Sequence, residues 1–325
     1  MPASAAGCKD IARQLVEDEP GRNIKVIMGG GRQMLQSNAT AREGDPLDTW
    51  ACYSQDGRDL IKEWVNDKTN RNYSQTVVQN NKQLSQVNPE ETDFLLGIFA
   101  NGHITMDWER DVSPEGQPSL KDMTTTAVKI LQKSKKGFVL VVEGGLIDYA
   151  HHRGHAAQAL RETVRFSEAI NATLELVDTN ETLIIVTSDH SHSLTFQGVS
   201  DRGTDILGIA KNSSFDNTPY TILGYSTGGP NNIGYEMYNE TVARRKDPSL
   251  EDTTAFTYSQ QAAVISDEAK HGGADVPVYA IGPYAHLFQS THEQNFVAWV
   301  VIHAGNATQQ DNNHGSNLRA CYLAL

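Results

Sequence analysis

The sequence is poor in cysteine and has no region of concentrated positive charge. Its three cysteines, Cys8, Cys52 and Cys321, are widely spaced and form no zinc-binding pair. An odd count fits a partner cysteine lying outside the sequence. Against 40 acidic side chains there are only 27 basic ones, and the net charge of -13 comes with no basic stripe, which excludes a nucleic-acid binder. There is no run of 18 apolar residues and no signal-peptide pattern, so no membrane span is expected within these residues. Gly29-Gly30-Gly31-Arg32 follows an apolar run but lacks the Lys-Ser/Thr of a P-loop, which favours a tight turn over a phosphate cradle. Also missing are an activated nucleophile and a cationic phosphate clamp.

The chain does contain enough apolar residues for a large core: 325 residues, 38% of them hydrophobic. Seven N-x-Ser/Thr sequons, at Asn38, Asn72, Asn171, Asn180, Asn212, Asn239 and Asn306, exceed what chance would supply and favour a secreted or surface glycoprotein. Ile11 and Leu15 point to a short helix in 8–16, and Asn23–Met28 reads as a strand. A helix in 56–65 carries Leu60, Ile61, Trp64 and Val65 on one face. Ser119 and Asp122 form a capping box for a helix that turns Met123, Ala127, Ile130 and Leu131 inward.

A strand–helix–strand series follows. Phe138–Val142 reads as a fully buried strand. His155–Val177 is an amphipathic helix with Ala156, Leu160, Val164, Ile170 and Leu174 inward, and Thr182–Thr187 is the next strand. Residues 197–260, rich in Gly, Asn, Ser and Tyr, read as an irregular insert. Val276–Ile281 resumes the sheet, and Gln294–Ala304 is a last helix. The expected architecture is a three-layer α/β/α sandwich with a mainly parallel central sheet and a small irregular surface insert. Its core is 1–196 plus 261–325, and its insert is 197–260.

Three short segments carry the chemistry, each next to an apolar strand, where an open α/β sheet builds its ligand site. In Glu143-Gly-Gly-Leu-Ile-Asp148-Tyr-Ala-His151-His152, Asp148 and His152 are four apart and share one face of a helical turn, while His151 points elsewhere. Alone, such a pair is more often a cap and a surface residue. Thr187-Ser-Asp189-His190-Ser-His192 follows a strand, with His192 placed to support a site from behind its ligands. Lys270-His271-Gly-Gly-Ala-Asp275 follows Glu268 and precedes a strand. Carboxylate–imidazole pairs plus a lone His and a spare Glu are what two zinc-like cations and one hard cation require.

Together these segments resemble the alkaline phosphatases, in which V-E-G-G-x-I-D-x-x-x-H, T-x-D-H-S-H and H-G-G-x-D-V occur in this order. GCKDIARQL, VIMGGGR, GPYAHL and HEQNF are similar to further signatures of that family. The resemblance covers essentially the whole chain. It implies that Asp148, His152 and His271 bind one zinc, Asp189 and His190 a second, and Glu143 a magnesium, with Glu268 a water or substrate contact. It implies phosphomonoester hydrolysis through a phosphoserine, on a homodimeric, extracellular or cell-surface glycoprotein with a GPI-type anchor on the full-length form. The serine, its phosphate-binding arginine and a partner for Cys8 would then lie upstream, this chain being the C-terminal two-thirds and inactive alone. Leu146 stands where an arginine is usual, and Tyr149-Ala150 replace His-Gly, without removing an expected ligand. Ala100 and Gln117 stand where vertebrate members carry calcium-binding carboxylates, so no calcium site is expected. A phosphodiesterase or sulfatase of the wider superfamily is the alternative enzyme, and a glycosylated metal-binding or interaction protein is the alternative without catalysis.

Overall fold

The computed structural model describes residues 9–305 and 319–324, with side chains up to 305, so Cys8 and Asn306 lie outside the described residues. The chain divides into two compact units, Met1–Thr105 with Glu109–Phe138 and Met106–Trp108 with Val139–Leu325.

In the first unit α1 (Ile11–Glu17) begins at Asp10, whose carboxylate accepts the Arg13 N–H. Val16 is its buried residue and Ile11 is exposed, since two turns bury a narrow face. Then come β1 (Val26–Gly29), α2 (Arg32–Leu35), α3 (Leu60–Asn70), β2 (Gln75–Val78), α4 (Asn81–Ser85), β3 (Phe94–Ile98) and α5 (Leu120–Leu131). The sheet is parallel, in the order β1-β3-β2. All five residues of central β3 are buried, and strand alternation sends them to two cores. Phe94, Leu96 and Ile98 pack with Val16 and with Leu60 and Trp64 of α3, while Leu95 packs with Leu84, Met123 and Ile130 of α4 and α5. Helices therefore cover both faces. Each large apolar side chain buried here contributes roughly 1.5–3 kcal/mol. Both bonds of the Ser119–Asp122 capping box at the start of α5 are present.

The glycine run serves backbone approach. Gly31 has φ 88, and its N–H donates to the Gly102 carbonyl at 2.8 Å; the Arg32 and Gln33 N–H groups donate to Ala100 and Asn101. The amides that would greet a phosphate already have partners. Ala100 is buried, and the Gln117 side-chain oxygen accepts the Thr105 N–H at 2.8 Å, so both positions have structural roles.

The second unit holds β4 (Val139–Glu143), α6 (Leu146–His152), α7 (Ala156–Leu176), β5 (Thr182–Thr187), β6 (Ser191–His192), β7 (Leu194–Phe196), β8 (Ile209–Asn212), β9 (Pro219–Thr221), β10 (Leu223–Gly228), β11 (Tyr235–Met237), β12 (Ala243–Arg245), β13 (Ala262–Ile265), β14 (His271–Gly272), β15 (Tyr279–Ile281), α8 (Phe296–Ala304) and β16 (Arg319–Ala324). Its main sheet has the order β15-β5-β16-β4, with β16 parallel to both neighbours and β15 antiparallel to β5. Leu183 and Ile185 of β5 pack on Val300 and Ala304 of α8.

Three expectations change here. β4 is an edge strand that alternates: Leu140 and Val142 are buried, whereas Val139 and Val141 are more than half exposed. An apolar run alone does not distinguish an edge strand from a central one. α7 buries Ala156, Ala159, Phe166, Ala169, Ala172 and Thr173 and exposes Leu160, Val164 and Leu174. Small side chains let that face approach closely, which a count of large residues does not reveal. Within 197–260, β8–β9 and β11–β12 are two-stranded pairs, but β10 forms a sheet with β7 and β13 on either side of that range. The boundaries at 196/197 and 260/261 thus cut through a sheet, and the division into compact units falls elsewhere.

A Cβ on Gly30 would lie 1.9 Å from the Gly102 carbonyl oxygen, whereas one on Gly29 meets nothing within 4 Å. Gly30→Ala is expected to destabilise the chain by about 1–3 kcal/mol through overpacking, and Gly29→Ala far less. Thermal or denaturant unfolding of the two variants side by side checks this.

Candidate metal centre

The site forms where strands of the second unit end. Glu143 is the last residue of β4 and shares its register level, through Ala324, with Thr187 at the end of β5. Gly144 and Gly145 lead directly into α6. A Cβ on Gly145 would lie 3.1 Å from the Glu143 carboxylate, so the glycine keeps the chain close to that side chain. α6 then places Asp148 and His152 one turn apart, and Asp148 makes no cap, since the N-cap is Gly145. Beyond β5 the chain reaches Asp189 and His190 and enters β6, which pairs antiparallel with β14 so that His192 stands opposite His271. This two-strand bridge brings the third segment to the second.

Asp148, His152, His192 and His271 offer ligand atoms that all lie within 4.8 Å of one another. Asp148 sits 3.2 Å from His152 Nε2, 3.3 Å from His271 Nε2, 3.5 Å from His192 Nε2 and 3.8 Å from His190 Nε2. The His190 Nε2 also lies 3.3 Å from Asp189, linking the two carboxylates. The His190 and His271 rings stack at 3.5 Å. Glu268 stands behind, 3.7 Å from His152 Nδ1, with Lys270 paired to it at 3.1 Å. Glu143 remains at its strand end, outside the cluster.

Backbone partners set the tautomers. The Nδ1 of His152 faces the Ala269 carbonyl at 2.8 Å, and that of His190 the Ser191 carbonyl at 2.9 Å. A carbonyl accepts only, so both Nδ1 atoms carry the proton and both Nε2 atoms present a lone pair. His192 is the reverse. Its Nδ1 accepts the Ser193 N–H at 3.0 Å, which leaves the proton of the neutral ring on Nε2, facing Asp148. The His152 and His271 Nε2 atoms lie 3.0 Å apart. Burial, reinforced by the neighbouring imidazoles, pushes His192 down to about 3, and burial with His152 alongside pushes His151 down to about 4. Both rings are held neutral.

Of the expected site residues, Asp148, His152, Asp189, His190, His192 and His271 converge, with Glu268 beside them. Two residues were missed. His151 is outside the group of ligand atoms, as its place on the helical turn implies, but its ring lies 5.1 Å from that of His192, and its Nδ1 is 2.8 Å from the hydroxyl of Tyr225. Tyr225 lies in the stretch read as irregular. The alternation of Leu223 and Tyr225 about a glycine was the available signal.

An α/β sheet whose strand ends gather carboxylates and imidazoles offers a site that could hold metal ions. A profile of the alkaline phosphatase family matches residues 1–307, and the chain belongs to that family. It is 42% identical to the alkaline phosphatase of Gadus morhua over 94% of this chain and 62% of that protein. It is 40% identical to alkaline phosphatase 4 of Drosophila melanogaster over 94% of this chain and 53% of that one. The membrane-bound alkaline phosphatase of Bombyx mori is 36% identical over 89% and 51%. The chain thus spans about half to three-fifths of the length of these relatives. Among solved structures, the cold-active alkaline phosphatase of Shewanella sp. matches with a TM-score of 0.50 and 19% identity, over 86% of this chain and 65% of that one. That of Thermus thermophilus gives 0.50 and 22%, over 80% and 58%. These two similarities support the α/β fold.

Because the folded His151 and His192 bind protons less readily than unfolded histidine, at about 6.5, the unfolded state takes them up first as pH falls. The metal-free chain is expected to lose stability from pH 7 towards pH 4. The His192→Asn variant should show a shallower slope over that interval, read as melting temperature against pH.

Proposed function

We propose that this chain carries the metal-binding part of an alkaline phosphatase centre that hydrolyses phosphomonoesters. Asp148, His152 and His271 would hold one zinc, Asp189 and His190 a second, and Glu143 a magnesium. The observation that carries this reading is the tautomer pattern: His152 and His190 are pinned through Nδ1 to backbone carbonyls and turn their Nε2 lone pairs toward Asp148. Such anchoring is what imidazole ligands require. By the same test His192, with its proton on Nε2, orients Asp148 from behind. The donor set of imidazole and carboxylate suits zinc. Bound divalent cations would supply charge that polarises a phosphoryl oxygen and favours an attacking hydroxyl.

This chain's own residues hold the centre in place. Ser191 Oγ accepts the Ala274 N–H, and Ser193 Oγ reaches the Thr227 carbonyl, so neither hydroxyl is poised to attack. Lys270 is committed to Asp267 and Glu268. We assign the attacking serine and the phosphate-binding arginine to sequence outside residues 1–325. The six described sequon asparagines, Asn38, Asn72, Asn171, Asn180, Asn212 and Asn239, are all exposed, which supports an extracellular or cell-surface glycoprotein. No helix among the described residues is long and apolar enough to cross a membrane. The membrane-bound relative supports an anchor on the full-length form. The β11–β12 hairpin exposes Tyr235, Met237 and Tyr238, which supports a homodimer.

The 325-residue chain with zinc and magnesium is expected to release phosphate from a phenolic monoester several orders of magnitude more slowly than a version extended upstream, since cooperating catalytic groups fail together. Equal turnover would place the nucleophile inside this chain. In the chain itself, His152→Ala should lower zinc affinity by at least about tenfold in calorimetric titration. Unchanged affinity would remove His152 from the ligand set.

A further inference from the structure

We propose that Tyr225 and His151 are positioning residues for this centre: Tyr225 holds the His151 ring, and that ring fixes the orientation from which His192 steadies Asp148. The inference rests on the reading that Asp148, His152 and His271 bind a cation. Neither residue is in that ligand set.

Tyr225 is on β10, held on both sides by pairing to Leu194 of β7 and Ala262 of β13, and is 1% exposed. Its ring packs in a cluster with Ala156, Leu223, Ala262 and Ala269. Phenylalanine would fill that space equally well, so the core alone does not call for the hydroxyl. A buried hydroxyl needs a partner, and here it lies 2.8 Å from His151 Nδ1. His151 in turn lies against His192, with centroids 5.1 Å apart and planes tilted by 31°. Tyr225 closes the triangle edge-on to His192 at 86°. The His192 side chain is thereby held at two places, Nδ1 by the Ser193 N–H and its flank by His151, and its Nε2 faces Asp148 at 3.5 Å.

Asp148 depends on this support. Apart from its Coulombic contacts to imidazoles, its Oδ1 is buried without a hydrogen-bond partner among the described residues, and so is His192 Nε2. At 3.5 Å the two are close to bonding distance, and a small rotation of His192 decides whether the bond closes. Tyr225→Phe leaves the packing but frees His151 to turn, and His192 with it.

The experiment is cobalt(II) titration of the full 325-residue chain, followed by visible absorption, for wild type, Tyr225→Phe, His192→Ala and the double variant. His192→Ala is expected to weaken cobalt binding by roughly 10–100-fold, as removal of outer partners does. Tyr225→Phe should weaken it by a smaller factor and shift the cobalt bands, while the melting temperature of the metal-free protein falls only modestly, because His151 Nδ1 loses its partner. In the His192→Ala background, Tyr225→Phe should have no further effect. His151→Ala, which removes the ring from beside His192, should weaken binding at least as much as Tyr225→Phe. Wild-type affinity and spectrum in Tyr225→Phe, or an equal loss with and without His192, would overturn the proposal. Absence of cobalt binding in wild type would overturn the metal reading itself, and this inference with it.

Discussion

One carboxylate among four imidazoles sets the terms for the second unit. Asp148 lies within 3.2–3.8 Å of ring nitrogens from His152, His190, His192 and His271. The Nε2 atoms of His152 and His271 stand 3.0 Å apart, a spacing that a shared proton or a cation between them stabilises. Lone pairs aimed at a common point cost free energy in the metal-free chain. That cost is tolerable because the backbone has already fixed the rings: the Ala269 and Ser191 carbonyls and the Ser193 N–H hold one Nδ1 each.

The three pieces that meet there start at Glu143, Thr187 and Lys270, well separated in the chain, and sheet geometry brings them together. β4 and β5 end at the same register level, on either side of β16. Each passes directly into a turn that bears candidate ligands, so rigid elements rather than a long loop position those side chains. The third segment arrives through β14 and β6, only two residues each, which pair His271 with His192. Ala269 does two jobs: its side chain sits in the apolar cluster with Tyr225, and its carbonyl anchors His152. Packing and ligand orientation are coupled through that residue.

The candidate site residues were legible in the sequence because their chemistry is local. Asp148 and His152 fall four apart on a helix, and Asp189 and His190 follow an apolar strand, whatever the rest of the chain does. The Ser119–Asp122 box was legible for the same reason. What could not be read depends on neighbours distant in sequence. β4 looks like a buried strand until the sheet order makes it an edge. The buried face of α7 is built from alanines, so a search for large apolar residues selected Leu160, Val164 and Leu174, which face solvent. β10 is broken by glycines, and its core residue Tyr225 matters through a hydroxyl whose partner lies 74 positions away. Tautomers were beyond reach, since they follow from backbone groups that only the fold brings up.

Charge gives the centre its direction. The chain is acidic, at -13, and repels a phosphate dianion from most of its surface. The groups nearest Asp148 change that only slightly: burial holds the His192 ring neutral, and Lys270 is neutralised by Asp267 and Glu268. Asp148 and Asp189 bring two negative charges to a site proposed to hold divalent cations. Loaded, such a site carries an excess of positive charge at the end of the sheet; empty, it adds to the repulsion. Selectivity for an anionic ester would therefore depend on metal loading rather than on a basic patch. A protein of this composition can keep its acidic surface and still bind phosphate at one place.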